Sequence, residues 1–457
     1  MPILIYNSLT KKKEELIPID GKTIKMYVCG VTVYDKCHIG HARSLYIFDV
    51  MRRYFKYRGY DVRFIRNITD VDDKIINKSK ELNRSFDDIV RENLDAYRRD
   101  LKNLRVDEAD VEPRATEYIP KMVVFIEKLI KKDFAYEVEG NVYYSVRKFK
   151  DYGKLSGQSV DQMIEATRIE QDPKKRDPLD FALWKSVKEG EKSWTSPWGE
   201  GRPGWHIECS CMSMDELGGD CIDIHAGGRD LIFPHHENEI AQSEALTGKK
   251  PFVKYWIHHG LLTINGQKMA KSLGNFITLD EMFAKYSSDV LKLFFLQSHY
   301  GSPVDFSWEK MEEVKKAYDR INILMNKLPD DGQGFQASFS SRDDFQSAMD
   351  DNFNSPKALS VIYDLVNECN KMIESNADDN KGTLSEARNF LSEALGIFGI
   401  KLLKQSELSQ EEQELINDRM KARESKDFKR SDELRDLLQE KGVIVEDTKD
   451  GQIWRRT

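Results

Sequence analysis

The chain has 457 residues, enough for about three domains at ~150 residues each, and its 70 Lys and Arg against 78 Asp and Glu give a formal net charge of −8. With 40% hydrophobic and 10% aromatic residues, the composition argues against a disordered chain. No run approaches the ~20 apolar residues of a membrane helix, and the start MPILIYNSLTKKKEEL lacks the form of a signal peptide, so a cytoplasmic protein with no membrane attachment is expected.

Residues 23–30 (TIKMYVCG) read as a short strand ending at glycine, and residues 41–59 as the helix that follows. Residues 60–70 (YDVRFIRNITD) supply a second strand, so a βαβ unit and a parallel nucleotide-binding sheet are expected. Residues 87–104 and 120–131 carry apolar residues at helical spacing among charges. Residues 134–145 read as a hairpin around Glu139, Gly140 and Asn141, and a polar stretch with Pro173, Pro178 and Pro197 follows, which marks residues 120–200 as an insertion. After Pro203 the α/β character returns: CIDIHAGG is a strand into a glycine turn, and residues 234–246 are a helix with Gly248 past its end. Residues 311–400 are mostly helical, broken by a linker-like loop at 329–341. Residues 401–457 hold 13 basic and 14 acidic residues, with a long charged helix and a strand-rich tail, VIVEDTKDGQIWRR.

Eight of the nine histidines fall in three short segments, and three of the six cysteines share the middle one. So few and scattered cysteines do not make a disulfide framework; reduced thiols or metal ligands fit better. The net charge requires that any nucleic-acid partner be held by local basic surface. Neither G-x-x-x-x-G-K-[ST] nor G-x-G-x-x-G occurs, so an ATP site must be of another kind.

Three patterns carry chemistry. His38-Ile39-Gly40-His41 sits where a helix should begin, and a helix N-terminus with free backbone N–H groups, a small residue and two imidazole donors suits a phosphate. Lys268-Met269-Ala270-Lys271-Ser272 lies in a polar loop with glycines at 266 and 274, where two lysines could neutralise a departing pyrophosphate. Read separately, the first also suits a helix cap and the second a solvated loop. The third is a set of soft and borderline metal ligands: Cys29, Cys209 and the run His235-His236-Glu237-Asn238-Glu239, in which His235 and Glu239 share a helix face at i, i+4. Cys211, Cys221, His225 and His236 compete for the same roles, and spacing does not choose among them.

The segments YVCGVTVYDKCHIGHAR, RPGWHIECS, DIHAGGRDLIFPHHENEIAQ and KMAKS, in that order over nearly the whole chain, resemble the cysteinyl-tRNA synthetases, class I aminoacyl-tRNA synthetases. One departure is Ala270, where the family signature usually has serine. The resemblance implies an α/β fold: a Rossmann-like parallel-sheet catalytic domain with an inserted domain, followed by a helical anticodon-binding domain and a small mixed α/β C-terminal tail. The corresponding division is 1–119 and 201–250 for the two catalytic halves, 120–200 for the insertion, 251–310 for a stem-contact region with the KMAKS loop, 311–400 for the helical domain and 401–457 for the anticodon-recognition tail.

Carried over by similarity, Cys29, Cys209, His235 and Glu239 would bind one zinc per subunit, and His38, His41, Lys268 and Lys271 would be catalytic. Gly40, Asp230, His259 and Lys271 would meet ATP, which comes with Mg2+. Thr69, Trp205 and His225 would line the cysteine pocket. Arg423, Phe428, Asp432 and Asp447 would meet the anticodon, whose unpaired bases are read by stacking and edge hydrogen bonds. The implied reaction is ATP-dependent activation of L-cysteine to cysteinyl-adenylate and its transfer to the 3′-terminal ribose of tRNA(Cys), by a monomer. Zinc would select the substrate thiolate over serine's harder hydroxyl. Two other readings share parts of this pattern: a zinc-dependent ligase joining cysteine to an amino sugar, and a noncatalytic tRNA-binding paralogue.

Overall fold

The structure, a computed structural model, describes residues 1–160, 162–163, 172–187, 191–269, 273–329, 340–375, 380–402, 409–448 and 451–456. The chain divides into two compact units: residues 1–315 with 339–362 and 393–400, and residues 316–338 with 363–392 and 401–457. The segment read as one helical domain, 311–400, thus contributes to both.

The first unit opens on an antiparallel hairpin, β1 (Leu4–Asn7) and β2 (Lys12–Glu15). Then β3 (Thr23–Thr32), α1 (Ile39–Tyr57) and β4 (Asp61–Thr69) form the expected strand, helix, strand unit, with β3 and β4 parallel. The helices α2 (Asp73–Leu82), α3 (Phe86–Leu104) and α4 (Ile119–Lys131) follow; α2 and α3 begin at Asp72 and Ser85, whose side chains accept from the first-turn N–H groups of Lys74 and Asp88. The insertion is a five-stranded antiparallel sheet of β5 (Ala135–Val138), β6 (Asn141–Tyr144), β7 (Phe181–Ser186), β8 (Trp194–Ser196) and β9 (Gly199–Pro203), in the order β5-β6-β7-β9-β8.

The chain re-enters the main sheet through α5 (Trp205–Leu217) and β10 (Ile222–Gly228). The helix expected over 234–246 begins later: residues Ile232–His236 form a wide turn with a non-helical Phe233, and α6 runs Glu237–Thr247. Next come β11 (Val253–His259), β12 (Leu262–Ile264), β13 (Gln267–Lys268), α7 (Leu279–Phe283), α8 (Ser288–Leu296) and β14 (Val304–Phe306). The central sheet has the order β11-β10-β3-β4, all parallel. Its strand β10 is buried at all seven residues, as a parallel strand covered on both faces must be.

The remaining helices are α9 (Trp308–Lys327), α10 (Ser340–Asp350), α11 (Ser355–Glu374) and α12 (Lys381–Ile397). The loop expected at 329–341 lies mostly outside the described residues. In the second unit, α13 (Gln410–Glu424) and α14 (Phe428–Glu440) precede the hairpin β15 (Val443–Thr448) and β16 (Gly451–Arg456). Ile416, Leu438, Val443 and Val445 form a small core there, matching the expected charged helix and strand-rich tail.

Candidate active site and metal cluster

A bulge in β3 creates the first element of the site. The β3–β4 register shifts between Val28 and Val31, so Cys29 and Gly30 leave the regular alternation. Gly30 is required there: a Cβ would lie 1.6 Å from the Asn67 carbonyl oxygen, while the Gly30 N–H donates to Asn67 Oδ1 at 2.9 Å. The bulge turns the Cys29 thiol toward α5 and α6, where Cys209 Sγ is 3.8 Å away and Glu239 Oε1 3.9 Å away. His235 Nε2 completes the group at 3.2 Å from Glu239 Oε1.

These four ligand atoms lie within 4.8 Å of one another, and so do those of a second set, Cys29, His225, His236 and Glu239. Cys211 and Cys221 belong to neither; Cys211 packs in the apolar core. An ion held tetrahedrally ~2.3 Å from each of two sulfurs separates them by ~3.8 Å, the distance observed between Cys29 and Cys209. Glu239 is fully buried and its Oε2 makes no hydrogen bond. Burial pushes the Cys29 thiol and the Glu239 carboxyl up, shifts that a bound cation would reverse, and the His235 imidazole down, toward the neutral form that ligates a cation. The donors therefore fit a soft or borderline divalent ion.

The paired histidines form the cap of α1. His38 is the N-cap, and its Nδ1 accepts from Gly40 N–H at 3.1 Å and His41 N–H at 3.3 Å; His41 Nδ1 accepts from His38 N–H at 3.4 Å. This is a capping box built from imidazoles. The expectation of free backbone N–H groups at this helix start needs correction: those of Gly40 and His41 are taken by His38, and that of Ile39 by the Ile277 carbonyl. What remains for an anion is the pair of Nε2–H donors, since a neutral imidazole whose Nδ1 accepts carries its proton on Nε2. The two rings stack at 3.7 Å, and burial, with His38 next, pulls the His41 pKa down to about 3, so His41 is neutral at physiological pH.

Lys268 lies exposed on β13, its neighbour Met269 reaches the same cavity as the histidines, and Lys271 lies outside the described residues. Both ends of the lysine-bearing segment are tied to the start of α1. Its far end meets the histidine turn through Ile39 N–H to Ile277 O at 3.2 Å and Leu279 N–H to Cys37 O at 3.1 Å. The cavity, about 530 Å3, is lined by Cys29, His38, Gly40, His41, Trp205, Asp230, His259 and Lys268 among others. His259 Nδ1 donates to the Gly260 carbonyl at 2.9 Å and burial lowers its pKa to about 4, leaving a neutral ring with Nε2 as an acceptor. Asp230 is exposed.

Of the residues expected near cysteine, Trp205 is 38% exposed and stacks on His235 at 4.1 Å, so it is a wall rather than core. His225 is buried with Nε2 3.5 Å from Cys29 Sγ. Thr69 is buried; its hydroxyl donates to Glu208 Oε2 at 3.1 Å and accepts from Asn67 Nδ2 at 3.2 Å. Sequence reasoning missed Asn67 and Glu208, which carry no motif of their own. It also missed Arg43, whose only signal was a charge on the apolar face of α1.

In the second unit Asp447 accepts from both terminal nitrogens of the buried Arg419, each at 2.9 Å, and pairs with Arg423 at 3.0 Å. Phe428 is 58% exposed, and Asp432 pairs with Arg435 at 3.2 Å.

The family described as tRNA synthetases class I (C) catalytic domain matches residues 15–316, a DALR domain matches 344–403, and a cysteinyl-tRNA ligase anticodon binding domain matches 405–455. Curated relatives include the cysteine–tRNA ligases of Persephonella marina, 50% identical with both chains covered in full, and of Aquifex aeolicus, 48% identical over 100% of this chain and 99% of that one. In fold, the chain is similar to a methionyl-tRNA synthetase of Mycobacterium tuberculosis in complex with methionyl-adenylate, with a TM-score of 0.63 at 15% identity over 82% of this chain and 90% of that one. A putative arginyl-tRNA synthetase of Campylobacter jejuni gives 0.58 at 15% identity over 84% and 94%. With a catalytic-domain match over more than half its length and full-length relatives near 50% identity, this chain belongs to the cysteine–tRNA ligases of the class I aminoacyl-tRNA synthetases.

Proposed function

We propose that the chain activates L-cysteine with Mg-ATP and transfers it to the terminal ribose of tRNA(Cys), acting as a monomer in the cytoplasm. The observation that carries this reading is the tying of the lysine segment to the histidine turn around one cavity that also reaches Cys29 of the buried thiol, imidazole and carboxylate cluster. In the first step a cysteine carboxylate oxygen bonds to the α-phosphorus, and the bond to the bridging oxygen breaks to release pyrophosphate. His38 and His41 donate from Nε2 to the charge gathering on the α-phosphate, while Lys268 and Lys271 neutralise the departing pyrophosphate. In the second step a ribose hydroxyl attacks the carbonyl carbon and AMP leaves. Gly40 lets the phosphate approach the turn, Asp230 accepts from ribose hydroxyls, and His259 Nε2 accepts from the adenosine. Thr69, Trp205 and His225 surround the amino acid.

Zinc is the ion that the donors fit best, with Cys29, Cys209, His235 and Glu239 as its ligands. His235 Nδ1 has a partner in His206 Nδ1 at 3.0 Å; in the competing set His236 Nδ1 has one in His258 Nε2 at 2.8 Å, but His225 has an Nδ1 without a hydrogen bond. Zinc there would supply a soft Lewis-acid position that accepts a thiolate and discriminates against a hydroxyl. In the second unit Arg423, Phe428, Asp432 and Asp447 contact anticodon bases.

The test is transfer of labelled cysteine to acid-precipitable tRNA, with labelled serine in parallel. Charging by cysteine alone is expected. Cysteine-dependent pyrophosphate exchange without charging would favour an amino-sugar ligase, and absence of both would favour a noncatalytic tRNA-binding protein.

A further inference from the structure

Arg43, two residues after His41 on α1, is completely buried, and among the described residues no carboxylate pairs with it. Four backbone carbonyls hold its two terminal nitrogens instead, while Nε is buried without a hydrogen bond. Nη1 donates to Gly260 O at 2.7 Å and Leu261 O at 2.9 Å, and Nη2 to Ser302 O at 2.6 Å and Tyr300 O at 3.2 Å. Burial lowers its pKa to about 10, so the group stays charged at neutral pH. A buried cation without a counter-ion is costly, and a planar five-donor fork is the one side chain suited to four carbonyls on two strands of chain.

The two segments it grips cross closely. Gly260 N–H donates to Tyr300 O at 2.8 Å, and a Cβ on Gly260 would stand 2.2 Å from Ser302 O. From this crossing β12 and β14 run parallel, with Leu262 opposite Val304 and Thr263 opposite Asp305. Thr263 in turn faces Lys268 across the β12–β13 hairpin, and Asp305 Oδ1 accepts from Thr263 Oγ1 at 2.7 Å and Gly266 N–H at 2.6 Å. One guanidinium on the helix of His38 and His41 therefore grips the root of the hairpin that carries Lys268.

We propose that Arg43 is a positioning residue for adenylate formation: by clasping residues 260–261 and 300–302 onto α1, it sets the β12–β13 hairpin so that Lys268 and the paired imidazoles face one phosphate chain. This rests on the roles given above to His38, His41, Lys268 and Lys271. Arg43 borders the same cavity, but its hydrogen bonds all go to backbone carbonyls, so it acts through the chain it grips.

The test uses the full-length, zinc-loaded protein with R43K, which keeps the charge but cannot span four carbonyls. Cysteine-dependent pyrophosphate exchange should lose about 100-fold in kcat, the scale of misplaced reacting groups. Cysteine affinity without ATP, measured by calorimetry, should stay within about twofold, a change under ~0.4 kcal/mol. Amide hydrogen exchange over residues 260–268 should accelerate. Unchanged kcat, or loss of cysteine binding together with exchange, overturns the proposal. If R43K does not fold, G260A decides, because it disturbs the same crossing from the other side: the same selective loss of kcat supports the clasp, and unchanged or general loss of function overturns it. Wild-type protein reports on the underlying function by itself, since absence of exchange there refutes the reaction and with it the role of Arg43.

Discussion

Replacing His38 by Asn should leave the first turn of α1 intact while removing a phosphate donor. Asn Oδ1 can occupy the place of His38 Nδ1 and accept from the Gly40 and His41 N–H groups, which now lie 3.1 and 3.3 Å from that nitrogen. Asn is among the best N-cap residues, so H38N should change stability by less than about 0.5 kcal/mol, whereas H38A should cost about 1 kcal/mol. Neither variant retains an Nε2–H directed into the cavity, and loss of one such donor costs about 2.7–4 kcal/mol of transition-state stabilisation, or 100- to 1,000-fold in rate. H38Q, which reaches the Nε2 position but caps poorly, should recover part of the rate at some expense in stability. Thermal melting and cysteine-dependent pyrophosphate exchange on the same preparations separate the two effects. Retention by H38N of exchange within about threefold of wild type, well short of the loss expected for a missing donor, would refute the assignment.

Further outcomes follow from the same geometry. C209S should abolish stoichiometric zinc while leaving the β3–β4 bulge in place, read by metal analysis and circular dichroism; full zinc retention would instead favour the set with His225 and His236. D447N removes a charged partner from Arg419, which is 1% exposed, and because Asp447 itself is 36% exposed the loss should be about 1–3 kcal/mol rather than the larger figure for a fully buried pair. The Arg419 hydrogen bonds hold the Asp447 carboxyl below its usual range, so this stabilisation is complete at neutral pH and is lost as pH falls through the lowered value, below about 3.9. His41 and His258 are brought down to about 3 and His259 to about 4, chiefly by burial, so the unfolded chain binds more protons as pH drops below about 6.5. His206, also brought down to about 3 by burial, adds to this, and Asp100, raised by burial to about 6, opposes it. Denaturant midpoints should therefore fall from pH 7 to 5, at about 4 kcal/mol per pH unit for a net three protons. A flat profile would contradict the burial of these rings.

The parts of the fold and site legible in the sequence were those written locally. The strand–helix–strand unit of β3, α1 and β4 follows from apolar periodicity, and the histidine and lysine motifs are contiguous. What stayed hidden depends on contacts across the chain. The bulge that aims Cys29 is a two-residue event visible only against the register of β4, and the strand expected to end at Gly30 in fact runs on to Thr32. The wide turn at Ile232–His236 escaped because proline near a helix start reads as a helix signal. No spacing encodes the ring-nitrogen partners that set His225, with none at Nδ1, apart from His235 and His236. Asp447 was expected by similarity at the anticodon, and nothing local announced its bidentate contact with Arg419, which spans 28 positions.

Selection of the substrate by its sulfur is measured most directly by X-ray absorption at the zinc edge of the purified protein with and without amino acid. Two sulfur ligands are expected in the free protein, from Cys29 and Cys209. Addition of cysteine should raise the count to three, while serine leaves it at two. An unchanged count with saturating cysteine would contradict selection by coordination.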